Sequence, residues 1–457
     1  MKILIIKLGA KGDVIRTLPI LNGLKEKYPN SNITWITKSN SKELLEEVPY
    51  IDRILTIPLE LNETFDILYN FDIEKDATYL AEVINAKEKY GFYKNEDYVA
   101  AFNLGAEYYL NTLFDDEIKK SNKKTYQEMM FNAAELSYKN QHCPIHLTTE
   151  DKIYGDHFIK VNNIKKRIIG IHLGASPRWP SKAWHKENLK EFIKKAKSKG
   201  YEILLFGGPD ESERHNKFIQ DLRSEGINIL KNNPSNTDRE FASLVNICET
   251  MVCGDSFALH VSLALKKPTI GLFFCTPPNE IEGYGILKKI VSPYLMDFFP
   301  EKMDQYSEEL TKSISANEVL EELEKLNKPV KVVNGIIKRD DKFLVIKRRD
   351  NEIHGGKWAF PGGVVKNKED DYEALKREIK EEVGLELVKV IKKISDYTYK
   401  RDNGKNTRGQ SFFIEAKGNV KTNEEVSDYK WVTLDEFQNL DHIEELDEEL
   451  MLTFDNK

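Results

Sequence analysis

Short runs of apolar and β-branched residues alternate with stretches of helical periodicity from Lys2 to about Phe274. The run KILIIKL is followed by a helical stretch ending in LNGLKEKY and then by NITWIT, and the pattern returns in RIIGIHL, ENLKEFIKKAKSKG and EILLFGG. Apolar strands that alternate with amphipathic helices predict parallel sheets covered by helices on both faces. The sequence therefore predicts two α/β domains, over 1–160 and 165–326.

The pattern changes after Pro329. The helical stretch ANEVLEELEKLNK ends there, and VKVVNGIIKRDDKFLVIKRR then alternates apolar and polar residues around a DD turn, which predicts a β-hairpin. We place a domain boundary near Asn327 and a third domain over 330–457. A chain of 457 residues is long enough for about three cores. The acidic segment HIEELDEELMLTFDNK predicts a solvated helix.

Composition narrows the classes of partner. A formal net charge of -7 argues against a nucleic-acid partner, which usually selects a basic excess. No run reaches the roughly 18 apolar residues of a membrane span, and Lys7 interrupts the first run, which is too short for a signal peptide. The four cysteines show no CxxC spacing, so Cys248 and Cys253 are predicted to be small core residues in a reducing cytoplasm.

The segment GGVVKNKEDDYEALKREIKEEVGL carries the most specific chemical signal. Glu378, Glu381 and Glu382 are spaced i, i+3 and i+4, so they share one face of a helix. Like charges at this spacing cost a few tenths of a kcal/mol per exposed pair. A divalent cation would remove that cost, and a site with only oxygen ligands favours magnesium or manganese.

Two residues mark the ends of this helix. Glu369 is out of phase with the three helical glutamates, so we expect it in the loop that enters the helix, folded back towards either the metal site or Arg377. Gly384 suits the C-terminal end of the helix.

This segment matches the box of the Nudix hydrolase family at every position, and the preceding GGKWAFPGG resembles the family's lead-in. The resemblance covers about 330–457 and implies an α/β/α sandwich that hydrolyses a nucleoside diphosphate derivative with magnesium or manganese. It implies that Arg377 orients a glutamate and that Glu381 or Glu382 helps to activate water. It assigns the metal to the Gly363 carbonyl and to three carboxylates: Glu378, Glu381 and Glu382.

Several alternatives stay open for this domain. The acidic helix is either catalytic or a solvated glutamate-rich helix, and an intact box is also compatible with nucleotide binding without turnover. Trp358 and Phe360 either stack on a base or pack in the core. Glu424 and Glu425 are candidates for a further metal ligand or base.

The first strand runs into LGAKGDVIRTLPIL. A turn that contains Gly9 and Gly12 lets backbone N–H groups approach a ligand at the carboxyl edge of a sheet. Asp13 is either a helix N-cap or a catalytic residue, and the sequence does not decide between these roles. Pro19 predicts that the following helix is kinked or begins late.

The second block contains a matching set of polar residues. HLGASPRWPSKAWHKENL places Ser176, Ser181 and Lys182 in a loop between a strand and a helix, and FGGPDESER offers Asp210 or Glu211 as a sugar-binding acid.

CGDSFALHVSLAL places Asp255 and Ser256 at the start of a helix. A helix N-terminus beside a lysine suits a diphosphate, while a plain N-cap is the alternative. We interpret His260, further along this helix, as a packed residue.

In this order, the segments over about 1–326 resemble glycosyltransferase family nine, the heptosyltransferases of lipopolysaccharide core assembly. The resemblance implies two Rossmann-like domains facing across a cleft (GT-B type), with an acceptor-side domain first and a donor-side domain second. It implies inverting transfer from a nucleotide-sugar donor such as an ADP-heptose, without a cofactor. The acceptor would be an envelope glycan or lipid-linked sugar at the inner membrane surface.

The resemblance makes Asp13 the general base on the acceptor hydroxyl. One position departs from the family, which usually has a small residue after the Asp-Ser or Asp-Thr pair, because Phe257 stands there and would crowd the phosphates. The donor diphosphate is assigned to Gly12, Ser181, Lys182, Asp255 and Ser256.

Three hypotheses describe the whole chain. The first is a bifunctional enzyme that transfers a sugar and hydrolyses a nucleoside diphosphate derivative. The second makes the Nudix domain a nucleotide sensor that regulates the transferase. The third keeps the hydrolase and makes the front part an inactive glycan-binding scaffold, for which Phe257 is the main support.

Overall fold

The computed structural model describes residues 1–172, 174, 178–349, 355–400, 406–443, 446 and 449–450. The chain forms two compact units, Met1–Glu324 and Lys325–Lys457. Within the described residues, the first unit holds two six-stranded sheets and the second a seven-stranded one. Ser176 and most of the helix predicted after His442 lie outside the described residues.

The first sheet follows the predicted alternation of strands and helices. Its elements are β1 Lys2–Ile6, α1 Lys11–Thr17, α2 Ile20–Lys27, β2 Asn32–Thr37, β3 Arg53–Thr56, β4 Thr64–Asn70, α3 Lys75–Val83, β5 Asn85–Asn95, β6 Tyr98–Ala101, α4 Leu104–Phe114, α5 Asp116–Ser121, α6 Tyr126–Ala133 and α7 Thr149–Val161. The helical stretch after β1 is broken at Leu18 and Pro19 into α1 and α2. The predicted interruption of this helix at Pro19 is therefore confirmed.

The second sheet has the same plan. Its elements are β7 Ile168–His172, α8 Lys186–Ser198, β8 Glu202–Leu205, α9 Ser212–Ser224, β9 Leu230–Lys231, α10 Asp238–Ile247, β10 Thr250–Gly254, α11 Phe257–Ala264, β11 Thr269–Phe273, β12 Leu287–Val291, α12 Leu295–Phe298, α13 Glu308–Lys312 and α14 Ala316–Asn327.

Strand order defines where a ligand binds in each sheet. The first sheet runs β3-β2-β1-β4-β5-β6 and the second β12-β11-β10-β7-β8-β9, which is the same 3-2-1-4-5-6 order with the second block numbered from β7. All described pairs are parallel except β5 with β6. The strand order reverses between β1 and β4 and between β7 and β10, and these two places are the switch points of the sheets. Ligands of such sheets bind outside the carboxyl ends of the strands at these points.

The apolar strands are buried on both faces, as the sequence pattern predicts for parallel sheets. In β1, Ile3 and Ile5 point into one core cluster, whereas Leu4 and Ile6 point into another on the opposite face. All four cysteines are buried with free thiols, which confirms Cys248 and Cys253 as core residues.

The second compact unit is built around a mixed sheet. Its elements are β13 Val330–Arg339, β14 Lys342–Arg348, β15 Trp358–Ala359, β16 Gly362–Val364, α15 Asp371–Val383, β17 Glu386–Lys400, β18 Asn406–Lys417, β19 Val426–Val432 and α16 Leu434–Gln438. The predicted hairpin is confirmed as β13 and β14, which pair antiparallel around Asp340 and Asp341.

The sheet has a separate hydrophobic core on each of its two faces. On one face Leu375, Ile379 and Val383 of α15 pack in a cluster with strand residues such as Val333. On the other face Phe437 of α16 packs with Phe343 and its neighbours. The unit is therefore an α/β/α sandwich.

A buried ion pair fixes the loop after β1. Lys7 and Asp72 are 5% and 4% exposed, and Lys7 Nζ lies 3.3 Å from Asp72 Oδ2. The same oxygen accepts hydrogen bonds from Leu8 N at 3.0 Å and Gly9 N at 2.7 Å. Burial opposes ionisation of Asp72, but Lys7 and these N–H donors hold the pKa of its carboxyl below the ordinary value.

We predict that Asp72→Ala destabilises the first unit by about 3 kcal/mol or more, because the substitution leaves the Lys7 ammonium buried without its partner. Urea unfolding of the full chain measures the loss. Since the pKa of Asp72 is depressed in the fold, its contribution is present at neutral pH and is lost as the pH falls through that value. Lys38→Ala, which removes an exposed pair with Glu74, is the control and should leave the midpoint unchanged. A loss no larger than the control's would contradict the prediction.

Candidate functional site

Asp13 lies at the carboxyl edge of the first sheet, where the loop after β1 enters α1. It occupies the first turn of α1, and Arg16 Nη2 lies 2.7 Å from its Oδ1. Burial opposes its ionisation, but Arg16 and Lys7 hold the pKa of the Asp13 carboxyl below the ordinary value. The N-cap of α1 is Ala10, so Asp13 is not the N-cap.

Gly12 is where α1 meets α11 of the second sheet. A Cβ atom added to Gly12 would stand 2.7 Å from His260 Cδ2, so only glycine permits this approach. His260 is 8% exposed, which agrees with its interpretation as a packed residue. Burial, reinforced by Arg16, lowers the pKa of His260 to about 4, so the imidazole is neutral near pH 7.

The second switch point brings Lys182 and Asp255 together. Lys182 Nζ lies 2.8 Å from Asp255 Oδ2, and His260 Nε2 lies 3.9 Å from Asp255 Oδ1. Burial would raise the pKa of Asp255, but Lys182 and His260 bring it well below the ordinary value. Ser256 is the N-cap residue of α11, and its hydroxyl lies 3.2 Å from His172 Nδ1. Lys182, Asp255 and His260 thus form a polar cluster, and Asp13 interacts electrostatically with His260.

Ser181 lies beside Lys182 but is fully buried. Its hydroxyl donates to the Gln305 carbonyl at 2.7 Å and accepts from Ser307 N at 3.0 Å, so both of its hydrogen-bonding roles are used by the backbone. Its predicted contact with the donor remains a prediction. Of the two candidate acids, Glu211 lies near the cluster, with Oε2 at 3.8 Å from His172 Nε2, whereas Asp210 is exposed.

Phe257, the residue that departs from the family pattern, has partners of its own. Its ring lies 5.2 Å from the Phe241 ring of α10, and the Lys11 ammonium lies 5.9 Å from its centroid. Lys11 Nζ also donates to Asp238 Oδ1 at 2.7 Å. The ring is therefore packed between α1 and α10.

Sequence reasoning missed the contacts that join the two sheets. Besides Lys11 and Asp238, the Glu43 carboxylate accepts hydrogen bonds from the first N–H groups of α10, Asp238 N at 3.1 Å and Arg239 N at 3.2 Å. These partners are separated by about 200 residues in sequence. No local spacing or periodicity pairs them, so the sequence offered no signal.

In the second unit, Arg377 of α15 is the centre of the acidic segment. Its Nε and Nη2 donate to the two oxygens of Glu369 at 2.7 and 2.9 Å, so Glu369 folds back onto Arg377, one of the two placements left open by the sequence. Arg377 Nη1 donates to Glu378 at 2.5 Å and to Glu381 at 3.2 Å. Gly384 ends the helix with φ 68°, which confirms its predicted position.

Two of the three helical glutamates are buried. Glu378 and Glu382 are 8% and 5% exposed, whereas the Glu381 side chain is about half exposed. Burial raises the pKa of Glu378, and it raises the pKa of Glu382 to about 8 although Gly362 N donates to that carboxylate at 2.7 Å. A Cβ on Gly363 would stand 2.5 Å from Glu378 Cδ, so the backbone at Gly363 approaches this carboxylate closely.

This set fits a hard divalent cation in its donor chemistry. All donors are oxygens, and the two buried carboxylates carry raised pKa values that a neighbouring cation would lower. In the described residues, however, no three His, Cys, Asp or Glu side chains converge as a metal site. Arg377 donates hydrogen bonds to two of the candidate ligands, Glu378 and Glu381.

The aromatic candidates belong to the core. Trp358 and Phe360 are 6% and 2% exposed, and the Phe360 ring stacks on Phe437. Core packing therefore accounts for both. Glu424 and Glu425 are exposed, and the charge of Glu425 contributes to the raised pKa of Glu382.

The strand order and the polar cluster define the class of the first unit. Two parallel sheets of dinucleotide-binding order, with their switch-point residues joined in one cluster, are the GT-B arrangement of glycosyltransferases. Two solved structures share this fold. The glycosyl transferase family 9 structure from Veillonella parvula DSM 2008 has a TM-score of 0.57 at 18% identity and covers 71% of this chain and 96% of its own. The Escherichia coli ADP-heptose lps heptosyltransferase II has a TM-score of 0.53 at 18% identity, over 71% and 98%.

The family models extend this assignment to the sequence. Residues 59–308 match glycosyltransferase family 9 (heptosyltransferase), and residues 328–454 match the NUDIX domain. The chain belongs to glycosyltransferase family 9 and carries a NUDIX domain behind it, as the sequence predicts.

Curated relatives of the first unit are heptosyltransferases. Lipopolysaccharide heptosyltransferase 1 of Escherichia coli O18:K1:H7 is 23% identical over 299 residues, 62% of this chain and 89% of that protein. Lipopolysaccharide heptosyltransferase 2 of Salmonella typhimurium is 23% identical over 309 residues, 61% and 84%. Within the described residues, no helix is long and apolar enough to cross a membrane.

We predict that Gly12→Ala destabilises the first unit by about 1–3 kcal/mol, because its Cβ would overlap the His260 ring and push α1 and α11 apart. Gly208→Ala is the matched control, since nothing lies within 4 Å of a Cβ at that position. Chemical unfolding of both variants beside wild type measures the difference. Equal stability of the two variants would show that α1 and α11 are not in this close contact.

Proposed function

We propose that the chain is a bifunctional enzyme. Its first unit transfers a sugar from a nucleotide-sugar donor to an envelope glycan or lipid-linked acceptor at the inner membrane surface, and its NUDIX domain hydrolyses a nucleoside diphosphate derivative. Within this proposal, 1–160 is the acceptor-side domain, 165–326 the donor-side domain and 330–457 the hydrolase. The observation that carries the transferase part is the polar cluster of Lys182, Asp255 and His260, with which Asp13 interacts electrostatically.

Asp13 is the general base of the transfer in this proposal. It takes the proton of the acceptor hydroxyl while the oxygen attacks the anomeric carbon, whose bond to the donor diphosphate breaks with inversion. Its depressed pKa keeps the carboxylate ionised, and Arg16 fixes its orientation at 2.7 Å. A weak base suffices because it receives the proton as the new bond forms, when the hydroxyl has become acidic.

Donor binding falls to the second switch point. Lys182 and the N-terminus of α11 at Ser256 are positive, so both favour the diphosphate leaving group. Asp255 holds the Lys182 ammonium at 2.8 Å, and Gly12 would meet the phosphates through its backbone N–H. An ADP-heptose is the donor we favour, because the curated relatives are heptosyltransferases.

In the proposed hydrolase, residues of the chain supply metal ligands, a base and an arginine that positions a glutamate. A bound magnesium or manganese ion would polarise the diphosphate and acidify the attacking water, and the Gly363 carbonyl with Glu378, Glu381 and Glu382 would hold it. Glu381 or Glu382 takes the proton of that water. Arg377 and Glu369 clamp each other and set the position of Glu378, since Arg377 binds both carboxylates.

We predict that Glu381→Gln with Glu382→Gln lowers magnesium-dependent hydrolysis at least about 100-fold, because the variant loses two metal ligands and the candidate bases. The assay follows release of nucleoside monophosphate from nucleoside triphosphates, dinucleotides and ADP- or UDP-sugars. Glu386→Gln, whose exposed carboxylate pairs with Lys417, is the control. If wild type binds nucleotides tightly and turns over none of them, the domain is a sensor and the hydrolase proposal is wrong.

We predict that Asp13→Asn lowers the kcat of transfer about 100- to 10,000-fold, the usual contribution of a general base, with little change in donor affinity. Transfer from ADP-heptose to deacylated lipopolysaccharide core oligosaccharide measures kcat, and calorimetry with ADP measures donor-site affinity. Asp76→Asn, exposed on α3, is the control. Unchanged transfer would remove Asp13 as the base, and ADP binding without transfer in wild type would favour the inactive scaffold.

A further inference from the structure

A small cavity lies beside Arg16 where the two sheets of the first unit meet. Its walls include Arg16 of α1 and Gln127 of α6 on one side, and His260 of α11 and Glu280 on the other. About 10 Å³ is open to the centre of a water molecule, which is room for one water or one hydroxyl oxygen. Arg16 is also the ion-pair partner of Asp13, so this wall residue links the cavity to the candidate base.

Two buried polar atoms of this wall lack partners in the described part of the chain: Gln127 Oε1 and Arg16 Nε. The Gln127 side chain is only 6% exposed, and its amide nitrogen donates to Tyr284 Oη at 3.4 Å. Buried polar atoms normally have hydrogen-bond partners, and an unpaired one is costly. Together these two atoms offer one acceptor and one donor to whatever enters.

Glu280 adds a second acceptor. Its side chain is half-buried, no hydrogen bond or ion pair is found for it among the described residues, and burial raises the pKa of its carboxyl. The charge of Arg16 is the largest influence that opposes this rise in pKa. Glu282, two residues further on, is different, because its oxygens accept from Tyr138 Oη at 2.9 Å and Tyr284 N at 3.1 Å. Glu282 therefore holds the loop, whereas Glu280 is free for a ligand.

The chemistry of the cavity selects a hydroxyl group. A hydroxyl both donates and accepts, so it can donate to Gln127 Oε1 or Glu280 and accept from Arg16 Nε. The wall also holds apolar side chains, including Ile15 and Leu263. Arg16 and Gln127 belong to the same sheet as Asp13, whereas Lys182, Asp255 and Ser256 belong to the other. Glu280 comes from the second block, but Arg16 contacts Asp13, so we assign the site to the acceptor.

We propose that Arg16, Gln127 and Glu280 bind a second hydroxyl group of the sugar acceptor, beside the hydroxyl that Asp13 deprotonates. This proposal rests on the transferase function proposed above. Because one hydroxyl must fill a cavity of fixed size, the pocket selects acceptors that carry a hydroxyl at that position and in that configuration. Glu280 and Gln127 are positioning residues in this account, since neither touches the reacting atoms.

The test uses the full chain and two matched variants, Gln127→Leu and Glu280→Gln, which keep side-chain size and remove one acceptor each. Calorimetry measures binding of deacylated lipopolysaccharide core oligosaccharide in the presence of ADP, and binding of ADP alone. We expect each variant to weaken oligosaccharide binding about tenfold and to leave ADP binding within twofold. Glu301→Gln, an exposed acid of the same unit, is the control and should change neither affinity.

The outcomes separate this proposal from the transferase function. Unchanged oligosaccharide affinity in both variants, equal weakening of ADP binding, or no oligosaccharide binding by wild type overturns the pocket. Wild type that binds oligosaccharide through the pocket but transfers no sugar overturns the transferase function alone. A purely structural role would lower the thermal midpoint and weaken both ligands together. The KM of transfer is also compared between the intact acceptor and acceptors that each lack one hydroxyl group. An equal KM for all of them would show that the cavity holds only water.

Discussion

The carboxylate of Asp72 is the contact on which the transferase site depends. It neutralises the buried ammonium of Lys7 and accepts the N–H groups of Leu8 and Gly9, so it fixes the end of β1 against the end of β4. The loop set in this way enters α1, where Asp13 lies one turn before Arg16. The close approach of Gly12 and His260 then joins this edge to Asp255 and Lys182. These two structural contacts therefore bring the proposed base near the proposed diphosphate site.

The acidic helix of the second unit, α15, buries carboxylates without a full set of cationic partners. Glu378 and Glu382 are buried with raised pKa values, and the Arg377 guanidinium is shared among Glu369, Glu378 and Glu381. A helix that buries carboxylates in this way gives up stability for a concentrated set of oxygen ligands. Gly363 completes the set because any side chain there would collide with Glu378.

Local signals in the sequence predicted most of the fold. Strand and helix alternation, the break at Pro19, the hairpin around Asp340 and the end of α15 at Gly384 depend on neighbouring residues, and the sequence shows them. The pairings of Lys7 with Asp72 and Lys11 with Asp238 depend on strand order and sheet packing, which leave no periodic trace. For the same reason Gln127 and Glu280 carried no signal, and the backbone contacts that occupy Ser181 were not foreseen.

The bifunctional enzyme proposed here has two active sites that differ in their need for metal. The most direct test is metal dependence, measured on the full chain with a labelled nucleotide-sugar and an oligosaccharide acceptor present together. We expect EDTA to abolish the release of nucleoside monophosphate and to leave sugar transfer unchanged. Added magnesium should then restore hydrolysis. Loss of both activities in EDTA, or survival of hydrolysis without metal, would contradict the account.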